Sequence, residues 1–173
     1  MSKQIWRLFI PDQAVGASLD YFDLFNATGS GKKIEISSVK AIQSAAVAVT
    51  GVVGVDLFLT KTTDVGTGGT AATLQGTSFT ACTFTTITPP PGALPTGITA
   101  RLTPTGGATP GAIIGWDSLF TEETSAGAYI GKELHAGDDR IVLDEDSGLL
   151  VRQGGVASVG NIGFMVVFGL IDK

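Results

Sequence analysis

Two glycine-rich stretches, a run of acids, one histidine and one cysteine are the residues of this chain whose types could do chemistry. GSGKK, from Gly29 to Lys33, ends like a phosphate-binding loop, in which backbone amides cradle the phosphate and a lysine reaches it. That motif needs a glycine five positions before Gly31 and a Ser or Thr after the lysine, and the chain has Asn26 and Lys33 there. A phosphate loop also opens a helix, whereas this one precedes a β-like run. The spacing therefore predicts a plain hairpin turn. GTGGT, from Gly66 to Thr70, fails the dinucleotide fingerprint for the same reason and reads as a surface loop.

The acids Asp138, Asp139, Asp144, Glu145 and Asp146 could offer clustered oxygens to a hard cation. Their spacing is not that of a calcium loop, which puts a third oxygen ligand at 148 and a glycine at 149, so solvated strand ends are expected and no metal. No pair of carboxylates is identified as facing across a cleft, as glycoside cleavage would require. His135 and Cys82 are the single members of their kinds. Neither sits in a nucleophile elbow; Cys82, in ACTF, reads as a small residue filling a strand. The expectation is a protein that is not an enzyme and uses no cofactor.

The elements that would carry these residues are strands. Of the 173 residues, 43% are hydrophobic and only 16% charged, and 24 are glycine, which with abundant Val, Ile and Thr favours an all-β chain over a helical one. The length is that of one domain, burying roughly 70% of the surface its unfolded form exposes. A net charge of −5 argues against a nucleic-acid backbone as partner. A single cysteine leaves stability to packing and hydrogen bonds. The opening MSKQIWRLFIPDQ has an apolar run too short for a leader or a membrane span, so synthesis in a reducing cytosol is expected and no membrane partner.

Alternation and punctuation mark about ten strands. Gln4 to Ile10 and Asp20 to Asn26 come first, then Lys32 to Ile42. In that third strand Ile34 and Ile36 share one phase and Val39 and Ala41 the other, the slip that a β-bulge produces. Val53 to Lys61 alternates most cleanly, and Phe79 to Ile87 follows. TPPPGALPTG cannot lie inside a sheet, because adjacent prolines lack ladder donors. Shorter segments follow at Ile98 to Thr103, Ala112 to Phe120, Ala126 to Leu134, Arg140 to Leu143 and Leu149 to Gln153. So many short strands without a crossover helix predict a single antiparallel, jelly-roll-like β-sandwich.

The last strand, VGNIGFMVVFGLIDK, is apolar on both parities. Ile162, Phe164, Val166, Phe168 and Leu170 form one face; Gly163, Met165, Val167, Gly169 and Ile171 form the other. A strand of a sandwich covers one face only, so the second should meet another chain or a loop of its own subunit. Burial of such a face would contribute several kcal/mol at ~25 cal/mol per Å². Association is expected, with Phe164, Val166, Phe168 and Leu170 as candidate interface residues.

GKKIEISSVKA, VGVDLFLTKTTDVGTGGTAAT, DRIVLDEDSGLLVRQ and VGNIGFMVVFGLID, in that order, resemble small β-sandwich virion proteins of tailed bacteriophages, the head decoration or cement proteins. In these an IVL strand leads through a tight turn to a GL.LR strand, matched by Ile141 to Leu143 and Leu149 to Arg152, with DEDSG where a shorter glycine-rich turn would be expected. The resemblance implies a trimer on the capsid surface of a virion, partnered by the major capsid protein and stabilising its lattice without substrate or cofactor. Residues 1–19 would be an N-terminal strand or arm and 20–173 the sandwich. Trp6, Arg7 and Phe9 are then candidate lattice contacts, because Trp and Arg anchor interfaces; the alternative is that Trp6 sits in the core of a first strand. A different class, a tail, fiber or baseplate module for host glycans, would draw on Trp116, Asp117, Tyr129 and the acidic 138–146 turns.

Overall fold

The computed structural model describes residues 4–43, 55–72, 94–106, 108–119, 132–156 and 160–173. The strand expected at 79–87, with Cys82, lies outside them. Among the described residues ten strands follow in order: β1 (Gln4–Ala14), β2 (Asp20–Asn26), β3 (Lys32–Gln43), β4 (Val55–Thr62), β5 (Thr70–Ala71), β6 (Ile98–Leu102), β7 (Pro110–Leu119), β8 (Lys132–Leu143), β9 (Ser147–Gln153) and β10 (Asn161–Asp172). They make two antiparallel sheets, a four-stranded sheet A ordered β1-β10-β3-β8 and a six-stranded sheet B ordered β5-β6-β2-β9-β4-β7. The chain is an all-β sandwich.

Four pairings nest inside one another: β1 with β10, β3 with β8, β2 with β9 and β4 with β7. Such nesting is what a single long antiparallel ribbon gives when it rolls up, and it explains why successive connections cross between sheets. The turn after β2 is one of these crossings, since β2 belongs to sheet B and β3 to sheet A. GSGKK is therefore a bridge between layers and not the hairpin that local sequence predicts. The turn after β8 crosses back beside it.

Alternation puts one parity of each strand between the sheets. Trp6, Leu8 and Ile10 of β1 meet Ile34, Ile36, Val39 and Ala41 of β3 and Phe164, Val166 and Phe168 of β10 in one buried cluster. The predicted phase slip is found at Ser37. Val167 pairs with Ser38 but Phe168 with Ile36, so Ser37 is the extra residue, and its hydroxyl donates to the Val167 carbonyl at 3.2 Å. A second slip lies in β2, where Asp20 pairs with Arg152 and Phe22 with Val151. Both Tyr21 and Phe22 consequently belong to the core, and the Tyr21 ring meets that of Phe164 across the sandwich at 5.3 Å.

Two expected segments, Ala126 to Leu134 and Arg140 to Leu143, prove to be parts of one strand as far as described. β8 runs through Asp138 and Asp139 without stopping. Opposite it Ile36 pairs with Ile141 and Ser38 with Ala136, so residues 137–140 face Ser37 alone. The acidic pair lies in a bulge of a strand, not at a strand end.

Candidate functional site

The two faces of β10 have opposite fates. Phe164, Val166 and Phe168 are fully buried and Leu170 is 6% exposed, all within the core between the sheets. They are not available to a partner, which corrects their assignment as interface residues. The error has a physical cause. Both parities are apolar, and hydropathy alone cannot say which one faces inward.

The opposite parity forms the outer face of sheet A. Its central positions are Gly163, Met165, Val167, Gly169 and Ile171, and their ladder neighbours decide how much of them stays open. Gly169 lies between Ile5 and Glu35, Val167 between Arg7 and Ser38, and Met165 between Phe9 and Lys40. The glycines are buried between flanking chains and Met165 and Val167 are half-buried, while Ile171 is exposed. Around them Ile5 and Phe9 are 43% and 42% exposed, and Val142 on β8 is 46% exposed. This is a mixed face in which Ile5, Phe9, Met165, Val167, Ile171 and Val142 stand among Arg7, Lys40 and the Glu35–Arg140 pair; Arg140 reaches Glu35 through Nη1 at 2.5 Å.

The N-terminal segment divides between its two expected roles by parity. Trp6 is 4% exposed, stacked on Phe168 with centroids 6.5 Å apart. It is a core residue and not a lattice contact, because the segment pairs along β10 from Gln4 opposite Leu170 to Ala14 opposite Asn161. Arg7 and Phe9 stay exposed on the outer face. Residues 4–14 are an edge strand of the sandwich rather than a free arm.

The lysines of GSGKK and the acids of DEDSG, weighed separately as phosphate and cation sites, meet at one end of the molecule. Lys33 Nζ lies 2.8 Å from Asp144 Oδ1 and Lys173 Nζ lies 2.9 Å from Glu145 Oε2. The Gly31 amide donates to Glu145 Oε1 at 2.9 Å, Thr28 donates to Asp146, and Lys32 pairs with Asp172. Hydrogen bonding to these lysines, Lys33, Lys173 and Lys32 in turn, holds Asp144, Glu145 and Asp172 below the ordinary carboxylate range. Asp146 itself adopts φ 59, the left-handed position that a glycine would hold in the shorter turn expected here. Opposite charges from β3, the end of β10 and the turn after β8 gather at one end of sheet A.

His135 stands on β8 opposite Val39, with Nε2 buried and unpaired. The side chains of Trp116, Asp117, Asp138 and Asp139, and all of Tyr129, lie outside the described residues. Among the described residues no helix is long and apolar enough to cross a membrane. Compared with known proteins, the chain matches no family model, no curated protein and no solved structure.

Proposed function

We propose that the protein is a structural virion component of the decoration type, held together as an oligomer through the outer face of sheet A and binding a capsid surface in that assembled form. The observation that carries this reading is the exposure of Ile5, Phe9, Val142 and Ile171 on one sheet face. Exposed apolar residues on one face with charges set among them are the composition of protein–protein contact patches. The sequence resemblance supplies the capsid as the surface and a trimer as the assembly.

The strand order supports the finer fold that this reading implies. With β5 and β6 set aside, the remaining strands renumber as 1-8-3-6 in sheet A and 2-7-4-5 in sheet B. That order agrees with the winding of an eight-stranded jelly roll and so supports the finer reading, a fold that capsid proteins share with lectins and other classes. On this reading the protein works mechanically. An oligomer seated across a junction adds contact area to each neighbour, and one bound subunit raises the effective concentration of the next.

Cosedimentation with purified particles tests the proposal. The wild-type chain should pellet with them, and the outer-face variants Phe9→Ser and Val142→Ser should not. Equal pelleting of all three, or no pelleting of the wild type, would remove this face from the account.

A further inference from the structure

Asp23 stands mid-strand on the outer face of sheet B, yet it is only 1% exposed. Its ladder partners are Arg101 on β6 and Leu150 on β9. The amide of Gly66, in the loop after β4, donates to Asp23 Oδ2 at 2.7 Å. Asp23 Oδ1 is buried with no hydrogen-bond partner, and so is Arg101 Nε beside it. Arg101 instead uses Nη1 to reach the Gly68 carbonyl at 3.2 Å. Two side chains of opposite sign on adjacent strands thus hold the same loop at positions 66 and 68.

The loop backbone rests directly on the carboxylate. A Cβ at Gly66 would lie 2.9 Å from Asp23 Oδ2 and 2.9 Å from Pro104 Cβ. The other fastenings are uncharged: Thr67 donates its amide at 2.5 Å and its hydroxyl at 3.0 Å to the Gly106 carbonyl, Thr105 donates to the Thr67 carbonyl at 3.0 Å, Ala72 donates to the Ala100 carbonyl at 2.8 Å, and β5 pairs with β6 at Thr70 and Ala71. Of the charged groups on this face among the described residues, β2 also brings Asp20, paired with Arg152 of β9 at 3.3 Å. β4 brings Asp56 near its start and, beside Asp23, Thr60 and Thr62, which do not titrate; the loop brings exposed Asp64, and the 103–106 segment only the apolar Pro104.

We infer that residues 63–71 form a pH-dependent strap, docked on sheet B while Asp23 is protonated and released as Asp23 ionises. Docking strips water from the carboxyl, and a single amide bond does not replace it. Burial accordingly pushes Asp23 from 3.8 up to about 6, opposed by the Gly66 amide and Arg101 and reinforced by Asp20. Lifting the strap rehydrates the carboxylate and returns it toward its ordinary value. By linkage, the opening constant should then rise roughly tenfold between about pH 5 and about pH 7.5. The charged pair Asp23 and Arg101 is thus uncovered roughly ten times more often at neutral pH than in mild acid. This inference is independent of the role given to sheet A.

Hydrogen exchange of the full chain at the two pH values, corrected for intrinsic rates, reads the strap directly. Amides of Gly66 and Thr67 should lose roughly tenfold protection at the higher pH, and Asp23→Asn should abolish that dependence. Gly66→Ala, which cannot seat, should remove the protection at both values while leaving β10 amides protected. Protection that is level with pH in the wild type, or a pH response retained by Asp23→Asn, would overturn the inference. So would full strap protection in Gly66→Ala.

Discussion

Trp6 and Phe168 are direct ladder partners across the first and last strands of the sandwich, with their rings parallel to within 7°. The pair ties the two ends of the chain into one core. Trp6→Ala should therefore cost about 3–5 kcal/mol, the range for large aromatic truncations in cores, measured by urea unfolding. Deleting residues 1–11 should do worse, removing Leu8 and Ile10 as well, and yield a chain without a cooperative transition. A deletion that stays folded and fails only in binding would restore the free-arm view.

A buried polar hub joins three parts of the fold. Tyr21 donates its hydroxyl to Gln153 Oε1, which also accepts the Gly16 amide at 3.0 Å, while Gln153 Nε2 donates to the Val156 carbonyl at 2.9 Å. Desolvation pushes the Tyr21 hydroxyl up to about 12, so it remains a donor at all working pH values. Gln153→Leu strands these partners and should cost about 1–3 kcal/mol. Tyr21→Phe, which removes one donor and keeps the ring on Phe164, should cost less; the order of the two unfolding midpoints checks the assignment.

Stability should respond to pH in two opposed ways. Asp23 is raised in the folded chain, so its contribution is fully present below pH 3.8 and is lost as pH rises through about 6. At about 1.4 kcal/mol per pH unit this loss is on the order of 3 kcal/mol. Asp144, Glu145 and Asp172 are lowered, so their contribution is present above the ordinary carboxylate range and is lost as pH falls through their folded values. The chain should be most stable in mild acid. In Asp23→Asn the decline toward neutral pH should vanish and the decline in strong acid remain, as followed by thermal unfolding across pH.

The lysine-paired end makes a separate prediction. Because Lys33 and Lys173 already occupy Asp144 and Glu145, millimolar calcium should leave Tm unchanged in the wild type. High salt should lower it slightly, since exposed pairs are screened. A calcium-dependent rise in Tm would show that these acids prefer a cation to their lysines.

Much of the fold was legible because strands announce themselves by period. Asp20 to Asn26 is found with the expected bounds, and the slip between Ile36 and Val39 located the Ser37 bulge. What was not legible depended on the partner strand. β8 crosses two acids because a bulge absorbs them, and nothing local in ELHAGDDRIVL distinguishes a bulge from a turn. The inward parity of β10 is settled by Trp6 and Tyr21, more than a hundred residues away in sequence, and the outer face could be named only after it. Asp23 gave no signal at all. Its alternation reads as an ordinary solvated position, and only the loop laid over it makes the carboxylate unusual.

Sedimentation velocity on the wild type and on Phe9→Ser tests the central claim, that the outer face of sheet A is a contact surface. The account predicts an oligomer for the wild type and a folded monomer, unchanged by circular dichroism, for the variant. A monomeric wild type, or a variant that assembles equally well, would contradict it.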